Sequence, residues 1–388
     1  MSLFGWEPRK LSASVSAHLD VIRTVAAWAV MWGHLRTLFF VDFQHLARPG
    51  WLLSAIYFFT GFGHQAVMVF FVLSGFLISA TVIKSHISGI WSWREYALNR
   101  STRLYVVLVP GLLLGLLWDV VGSSLFASTG IYSHPVADLG PAIAASNLTV
   151  GNFFGSLFFL QTIICPPFGS NTPLWSLANE FWYYALFPTA LSAALAFARK
   201  ATHVAIPLSA MGVCLAAFLG FDKFIGFLIW MSGCALVFAC GKFQLRAKVW
   251  LFLYLFIASI ILWSCLVAAR TSIAAVLGTD LAVGIAFALF LFGVLQLELG
   301  AGSSRYLSAA HRFAGFSYSL YVLHFPLLLF LRAWIVPLQR WQPDGKHLLC
   351  GSLIGAVVIG FIWVVSLITE NKTSVARNWV RSMLPVTG

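Results

Sequence analysis

The sequence predicts an all-α, polytopic integral membrane protein, a helix bundle that crosses a bilayer about ten times with both termini in the cytoplasm. Three observations carry this. The 388 residues are 60% hydrophobic and only 9% charged, with a mean hydropathy of +0.89, whereas soluble domains carry about 25% charged residues. Apolar runs near the length needed to span a hydrocarbon core recur along the whole chain. Lys and Arg fall between those runs, and they fall unevenly. The net charge of +12 is therefore topological. No basic stripe accompanies it, and no nucleic-acid partner is expected. The 16 Trp and 35 Phe suit aromatic belts and surfaces facing membrane lipid.

The apolar stretches run over 19–41, 66–83, 104–122, 174–198, 203–220, 224–241, 249–269, 280–298, 313–336 and 349–369. With the N-terminus inside, Arg9, Lys10, Lys84, Arg94, Arg100, Arg103, Arg199, Lys200, Lys242, Arg246, Lys248, Arg305, Arg312, Lys372, Arg377 and Arg381 all face the cytoplasm. The other side receives Arg36, Arg48, Lys223, Arg270, Arg332, Arg340 and Lys346. This excess of basic residues inside fixes the expected orientation. Residues 153–164 are apolar but short, and counting them as a span would move Arg199 and Lys200 outside, so they read as re-entrant or packed at the surface. Residues 1–18 form a cytoplasmic segment without the apolar core of a cleavable signal peptide. One transmembrane domain fills 19–370, and 371–388 is a cytoplasmic tail. The six Cys show no metal-ligand spacing, so no metal is expected. Cys165 and Cys350 are the one pair placed to form a disulfide on the outer side. Asn147-Leu-Thr149 matches a glycosylation acceptor, a triplet common by chance.

Polar residues inside the spans narrow the chemistry. Arg23 and His34 lie eleven residues apart in the first span, which puts both on one helix face about 16 Å apart along the axis. Ionisable residues in lipid are expensive and mark functional sites. Glu180 lies about as deep in its span as His34 does in the first. A His and a carboxylate at one level can act as general base and orienting group, or simply hold two helices together. Arg23 has Asp20 as a structural ion-pair partner. Arg100 and Arg103, at i, i+3, share a face if their helix begins early enough. Their forks suit phosphate groups, or they anchor in lipid headgroups. Ser74 and Gly75 in FFVLSGFLIS allow close helix approach or line a substrate tunnel. His64 reads as a surface histidine, and His324 as a buried histidine bonded to a neighbouring helix.

In order along the chain, LDVIRTVAAWAVMWGH, FFVLSGFLIS, NRSTRLY, LWSLANEFWYY and FSYSLYVLHFPL resemble the membrane-bound acyltransferase 3 family of bacterial sugar O-acyltransferases. Glu370 in ITENKT resembles that family's terminal Glu. The proline usual after the arginine pair is missing near Val106, and Asn371-Lys372 replaces a basic-proline pair. The resemblance implies a multi-pass protein of the bacterial inner membrane. It would take an acyl group, acetyl by family frequency, from cytoplasmic acyl-CoA to a carbohydrate hydroxyl on the far side. The acceptor would be an exopolysaccharide, an O-antigen or a signalling oligosaccharide. No cofactor is bound permanently, and acyl-CoA serves as donor substrate. His34, Glu180 and Arg23 would be catalytic, with Arg100, Arg103, Ser74 and Gly75 on the donor side. His34 would act as a base or as an acyl-carrying nucleophile. A secondary transporter or flippase of an anionic or glycan-linked substrate is the alternative, using the same residues as a relay. The chain shows no pseudo-symmetric halves to match it. A purely structural membrane partner would leave Arg23, His34 and Glu180 without a purpose.

Overall fold

A computed structural model describes residues 11–47, 49–134, 144–245, 247–271, 276–298 and 304–384. Arg9, Lys10, Arg48 and Arg246 of the charge pattern lie outside the described residues, as do the first ten residues of the N-terminal segment. In chain order the helices are α1 (Ala13–Phe39), α2 (Trp51–Phe59), α3 (Gly63–Ile87), α4 (Trp93–Leu125), α5 (Val150–Leu157), α6 (Trp175–Ala198) and α7 (Thr202–Leu219). They continue as α8 (Phe221–Lys242), α9 (Lys248–Thr271), α10 (Val276–Val294), α11 (Ser304–Ala314), α12 (Ser317–Ile335), α13 (Gly345–Ile368) and α14 (Thr373–Met383). Nine helical segments among the described residues are long and apolar enough to cross a membrane. The 27-residue α1 is a further long helix, its hydropathy lowered by Asp20, Arg23, His34 and Arg36. The all-α, polytopic architecture expected from the sequence is the one found.

Element ends differ from expectation in places that matter. Helix α1 starts at Ala13, so part of the expected N-terminal segment is helical. Helix α4 starts at Trp93, which puts Arg100 and Arg103 within one continuous helix. At 33 residues it is about 50 Å long, well beyond a hydrocarbon core of about 30 Å. The apolar 153–164 stretch holds only the end of the eight-residue α5, which is capped where Thr149 Oγ1 accepts the Asn152 N–H at 3.1 Å. Phe159 and Thr162 then turn the chain with φ of 58° and 63°, so this piece does not span. Thr149 is thus a cap and Asn147 is buried, which gives the Asn-Leu-Thr triplet a structural use. The Cys165–Cys350 disulfide is not formed, and both are free thiols. Cys165 Sγ instead packs against Gly155, where an added Cβ would sit 2.3 Å away.

The described chain forms two compact units. One comprises 1–23, 65–92 and 179–311, the other 24–64, 93–178 and 312–388. In the first, α3 and α8 meet backbone to backbone. A Cβ on Gly75 would lie 1.8 Å from the Trp230 carbonyl oxygen, and one on Gly233 would lie 2.0 Å from that of Val72. Close approach through small residues is how apolar helices associate in lipid, where no hydrophobic force separates helix from tail. In the second unit α4 packs on α12 through Gly111 and Gly115, four residues apart. A Cβ on Gly111 would meet Val322 Cγ1 at 2.5 Å.

This seam makes a quantitative expectation. Gly111→Leu should destabilise the protein by about 1–3 kcal/mol through overpacking, read as a lowered unfolding midpoint in detergent. Gly360→Leu is the control, since no atom of the described residues lies within 4 Å of a Cβ at Gly360. Equal midpoints for the two variants would contradict the seam.

Candidate active site

The second unit is built around α12, and the interior polar contacts of that helix follow from its sequence. The first N–H groups of any helix lack an internal acceptor. Here the Glu370 carboxylate accepts the Ser319 backbone N–H and hydroxyl, both at 2.9 Å, at the end where the helix dipole favours a negative charge. Further along, Pro326 has no N–H, so the carbonyl of Val322 loses its helical donor. Asn171 supplies one, its Nδ2 donating to Val322 O at 2.9 Å. The loop bearing Asn171 is pinned on both sides. Buried Asp119 of α4 accepts the Ser170 N–H at 2.7 Å and its hydroxyl at 2.8 Å. Tyr321 donates to Pro173 O at 2.7 Å and lies 2.6 Å from the Ser176 hydroxyl. The segment from Tyr321 to Pro326 is therefore held from outside the helix as well as within it.

That rigidity fixes His324, which is fully buried. Its Nδ1 lies 2.8 Å from the Leu320 carbonyl oxygen, and its Nε2 lies 2.7 Å from Nδ1 of His34 on α1. The two rings stack 5.0 Å apart, 9° from parallel. A carbonyl oxygen only accepts, so His324 Nδ1 carries the hydrogen. In the neutral pair His324 Nε2 is then the acceptor and His34 Nδ1 the donor. This assignment comes from the network of partners. It leaves the lone pair of His34 on Nε2, which bonds no described residue. Phe325 meets the His34 ring edge-on at 5.1 Å. The imidazole is thus oriented, supplied with a donor-acceptor chain behind it, and bare at the front.

The first unit contains a second directional chain. Trp230 Nε1 donates to Ser74 Oγ at 3.2 Å, Ser74 donates to Tyr184 Oη at 3.2 Å, and Tyr184 donates to Glu180 Oε1 at 2.5 Å. Each hydroxyl accepts and then donates, so the chain ends on a carboxylate oxygen, the strongest acceptor in it. Ser74 supports Glu180 in this way, and Gly75 lets α8 approach. Arg23 pairs with Asp20 at 3.3 Å, and Asp20 also meets His311 Nδ1 at 3.4 Å. Arg100 and Arg103 sit on α4 in the second unit, Arg100 half-buried and Arg103 exposed. The Arg100 Nε is buried with no acceptor among the described residues. Helix α14 flanks this end of α4 through Arg377 to Asn99 at 3.0 Å and an Arg381–Glu95 ion pair. His64 is exposed and stacks on Trp175 at 5.8 Å.

The group bonded to Nδ1 of His34 is His324, which sequence reasoning read only as a buried histidine bonded to a neighbouring helix. Glu180 accepts from Tyr184 in the first unit. Asn171 and Asp119 escaped sequence reading, although each left a signal. Pro326 inside a span demands an outside donor for Val322, and a carboxylate in an apolar run demands donors of its own.

A family model described as an acyltransferase domain, of the acyltransferase 3 type, matches residues 16–369. The chain belongs to the acyltransferase 3 family. No curated protein and no solved structure matches it. The matched region of the acyltransferase takes in Arg23, His34, Ser74, Arg100, Arg103, Glu180 and His324, and it ends one residue before Glu370.

Two outcomes are expected. Asn171→Ala leaves the Val322 carbonyl unsatisfied and should cost about 1–3 kcal/mol, read by thermal unfolding; an unchanged midpoint would show that another group bonds the carbonyl. His324→Phe keeps a ring but removes the acceptor. It should cost the acyltransferase part of the roughly 10²–10⁴-fold that a positioned base contributes, in kcat and not in the KM for the acyl donor. His324→Gln, whose Oε1 can accept in place of Nε2, should recover some of that loss. A loss confined to KM, or equal activity in both variants, would remove His324 from the orienting role.

Proposed function

We propose that the acyltransferase moves an acyl group, acetyl by family frequency, from cytoplasmic acyl-CoA to a hydroxyl of an exported or cell-surface carbohydrate, as a multi-pass protein of the inner membrane. The observation that carries this is the oriented His34 imidazole on α1, with Nδ1 bonded to His324 and Nε2 bare. An imidazole held this way is a general base by construction. Its Nε2 takes the proton of the acceptor hydroxyl while that oxygen attacks the thioester carbonyl carbon. The tetrahedral intermediate collapses with cleavage of the C–S bond. The leaving thiolate takes the proton back from Nε2, giving an acyl ester and free coenzyme A. His324 orients the ring throughout and takes no proton of its own.

The donor side is read from charge and spacing. Arg100 and Arg103 share a face of α4, and the unsatisfied Arg100 Nε suits a phosphate oxygen of coenzyme A. Arg23 contributes on the way inward, held by Asp20. Glu180, backed by Ser74 and Tyr184, is the carboxylate of the proposed catalytic set. Gly75 serves by letting the helices that carry this chain pack closely.

Purified protein in sealed liposomes, given acetyl-labelled coenzyme A and an acceptor glycan, tests the reading. Thioester consumption should fall at least about 10²-fold in His34→Ala with the unfolding midpoint preserved. Full activity in that variant would overturn the proposed chemistry.

A further inference from the structure

Past the two histidines, α1 and α12 run on to a cavity of about 570 Å³, within the range of small-ligand sites. It is lined on one side by Thr37 of α1 and Arg332 of α12, and on the other by the turn from Ser128 to His134, with Arg340 alongside. Thr37 lies three residues beyond His34, about 4.5 Å of helical rise, and Arg332 lies eight beyond His324, about 12 Å. The cavity therefore continues the second unit's two histidine-bearing helices, at the end away from Arg100 and Arg103 on the orientation expected from the basic residues.

The two arginines are in opposite states. Arg340 is neutralised, both Nη atoms bonding the Asp42 carboxylate at 2.9 and 2.5 Å, and Nη1 also reaching Thr37 O at 3.1 Å. Arg332 has no carboxylate partner among the described residues. It is only 7% exposed. Its Nε donates to Leu38 O at 2.8 Å and its Nη2 makes a long contact to Leu338 O at 3.4 Å. Its Nη1 is buried with no acceptor among the described residues. A buried guanidinium carrying an open N–H and no counter-charge is costly. A site where the hydroxyls of Thr37, Ser128 and Thr129 and the His134 imidazole stand among apolar neighbours beside that charge is chemically matched to an oxyanion, which the fork binds with charge-assisted hydrogen bonds.

We infer that this cavity is an acceptor subsite, and that Arg332 selects acceptors bearing a carboxylate or phosphate group near the hydroxyl to be acylated. The inference rests on the acyl-transfer reading only in naming the bound molecule as the acceptor; the oxyanion site itself does not depend on it.

The test titrates the purified protein in nonionic detergent with sodium D-glucuronate, inorganic phosphate or D-glucose at matched ionic strength, and follows the unfolding midpoint. Glucuronate, phosphate or both should raise the midpoint with saturation while glucose does not, and the comparison separates a carboxylate from a phosphate specificity. Arg332→Gln should raise the half-saturating concentration at least tenfold. Should that variant fail to fold, Ile131→Trp fills the cavity without touching the guanidinium bonds and should have the same effect. Saturation by neither anion, or equal saturation in wild type and variant, overturns the site. A shift with added phosphatidylglycerol alone marks a lipid headgroup site and overturns the acceptor assignment. Acetyl-CoA consumption is read on the same samples. Anion binding without turnover would count against the acyl-transfer reading and leave the oxyanion site standing, whereas turnover without anion binding overturns this inference alone.

Discussion

A single hydrogen bond between two imidazoles, His34 on α1 and His324 on α12, sets the conditions that the rest of the second unit has to meet. In an apolar bundle a ring nitrogen finds no water to turn to, so its direction is decided by whatever protein group reaches it. Because Leu320 O claims one nitrogen of His324, the other becomes an acceptor, and the lone pair of His34 is driven to its far side. A small tilt of α12 would break this, since a hydrogen bond weakens steeply with angle. The surroundings of α12 supply the needed stiffness: a carboxylate at its first turn, a side-chain amide at the carbonyl that Pro326 frees, and a tyrosine tied to the loop before α6.

The first unit solves the same problem differently. Its chain passes through an indole, a serine and a tyrosine before ending on Glu180. Hydroxyls can turn to accept and donate at once, so the polarity of the chain comes from its two ends, an indole that only donates and a carboxylate that only accepts. Gly75 and Gly233 make this possible by bringing α3 and α8 into backbone contact, which puts Trp230 within reach of Ser74. The small residues are thus part of the electrostatics of Glu180, although they carry no charge.

The arginines differ in how their charge is met. Arg23, Arg340 and Arg381 each have a carboxylate partner, Asp20, Asp42 and Glu95. Arg332 lines a cavity of mixed polar and apolar residues, and its Nη1 and the Arg100 Nε have no acceptor among the described residues. A buried donor without an acceptor costs more than a made hydrogen bond contributes, which is why a ligand oxygen is proposed for these two groups.

The sequence by itself determined the class of the protein. Hydropathy and the length of the apolar runs are additive along the chain, so about ten spanning helices, the short 153–164 piece and the family could all be read without coordinates. Arg23 with Asp20 and the shared face of Arg100 and Arg103 were also readable, because i, i+3 spacing is local. The tertiary structure decided what long-range pairing decides. The partner of His34 lies 290 positions away, and depth alone could not distinguish it from Glu180. Asp119, Asn171 and the cavity at Arg332 depend on which helix faces which, and helical periodicity leaves that open when nearly every face of a helix is apolar.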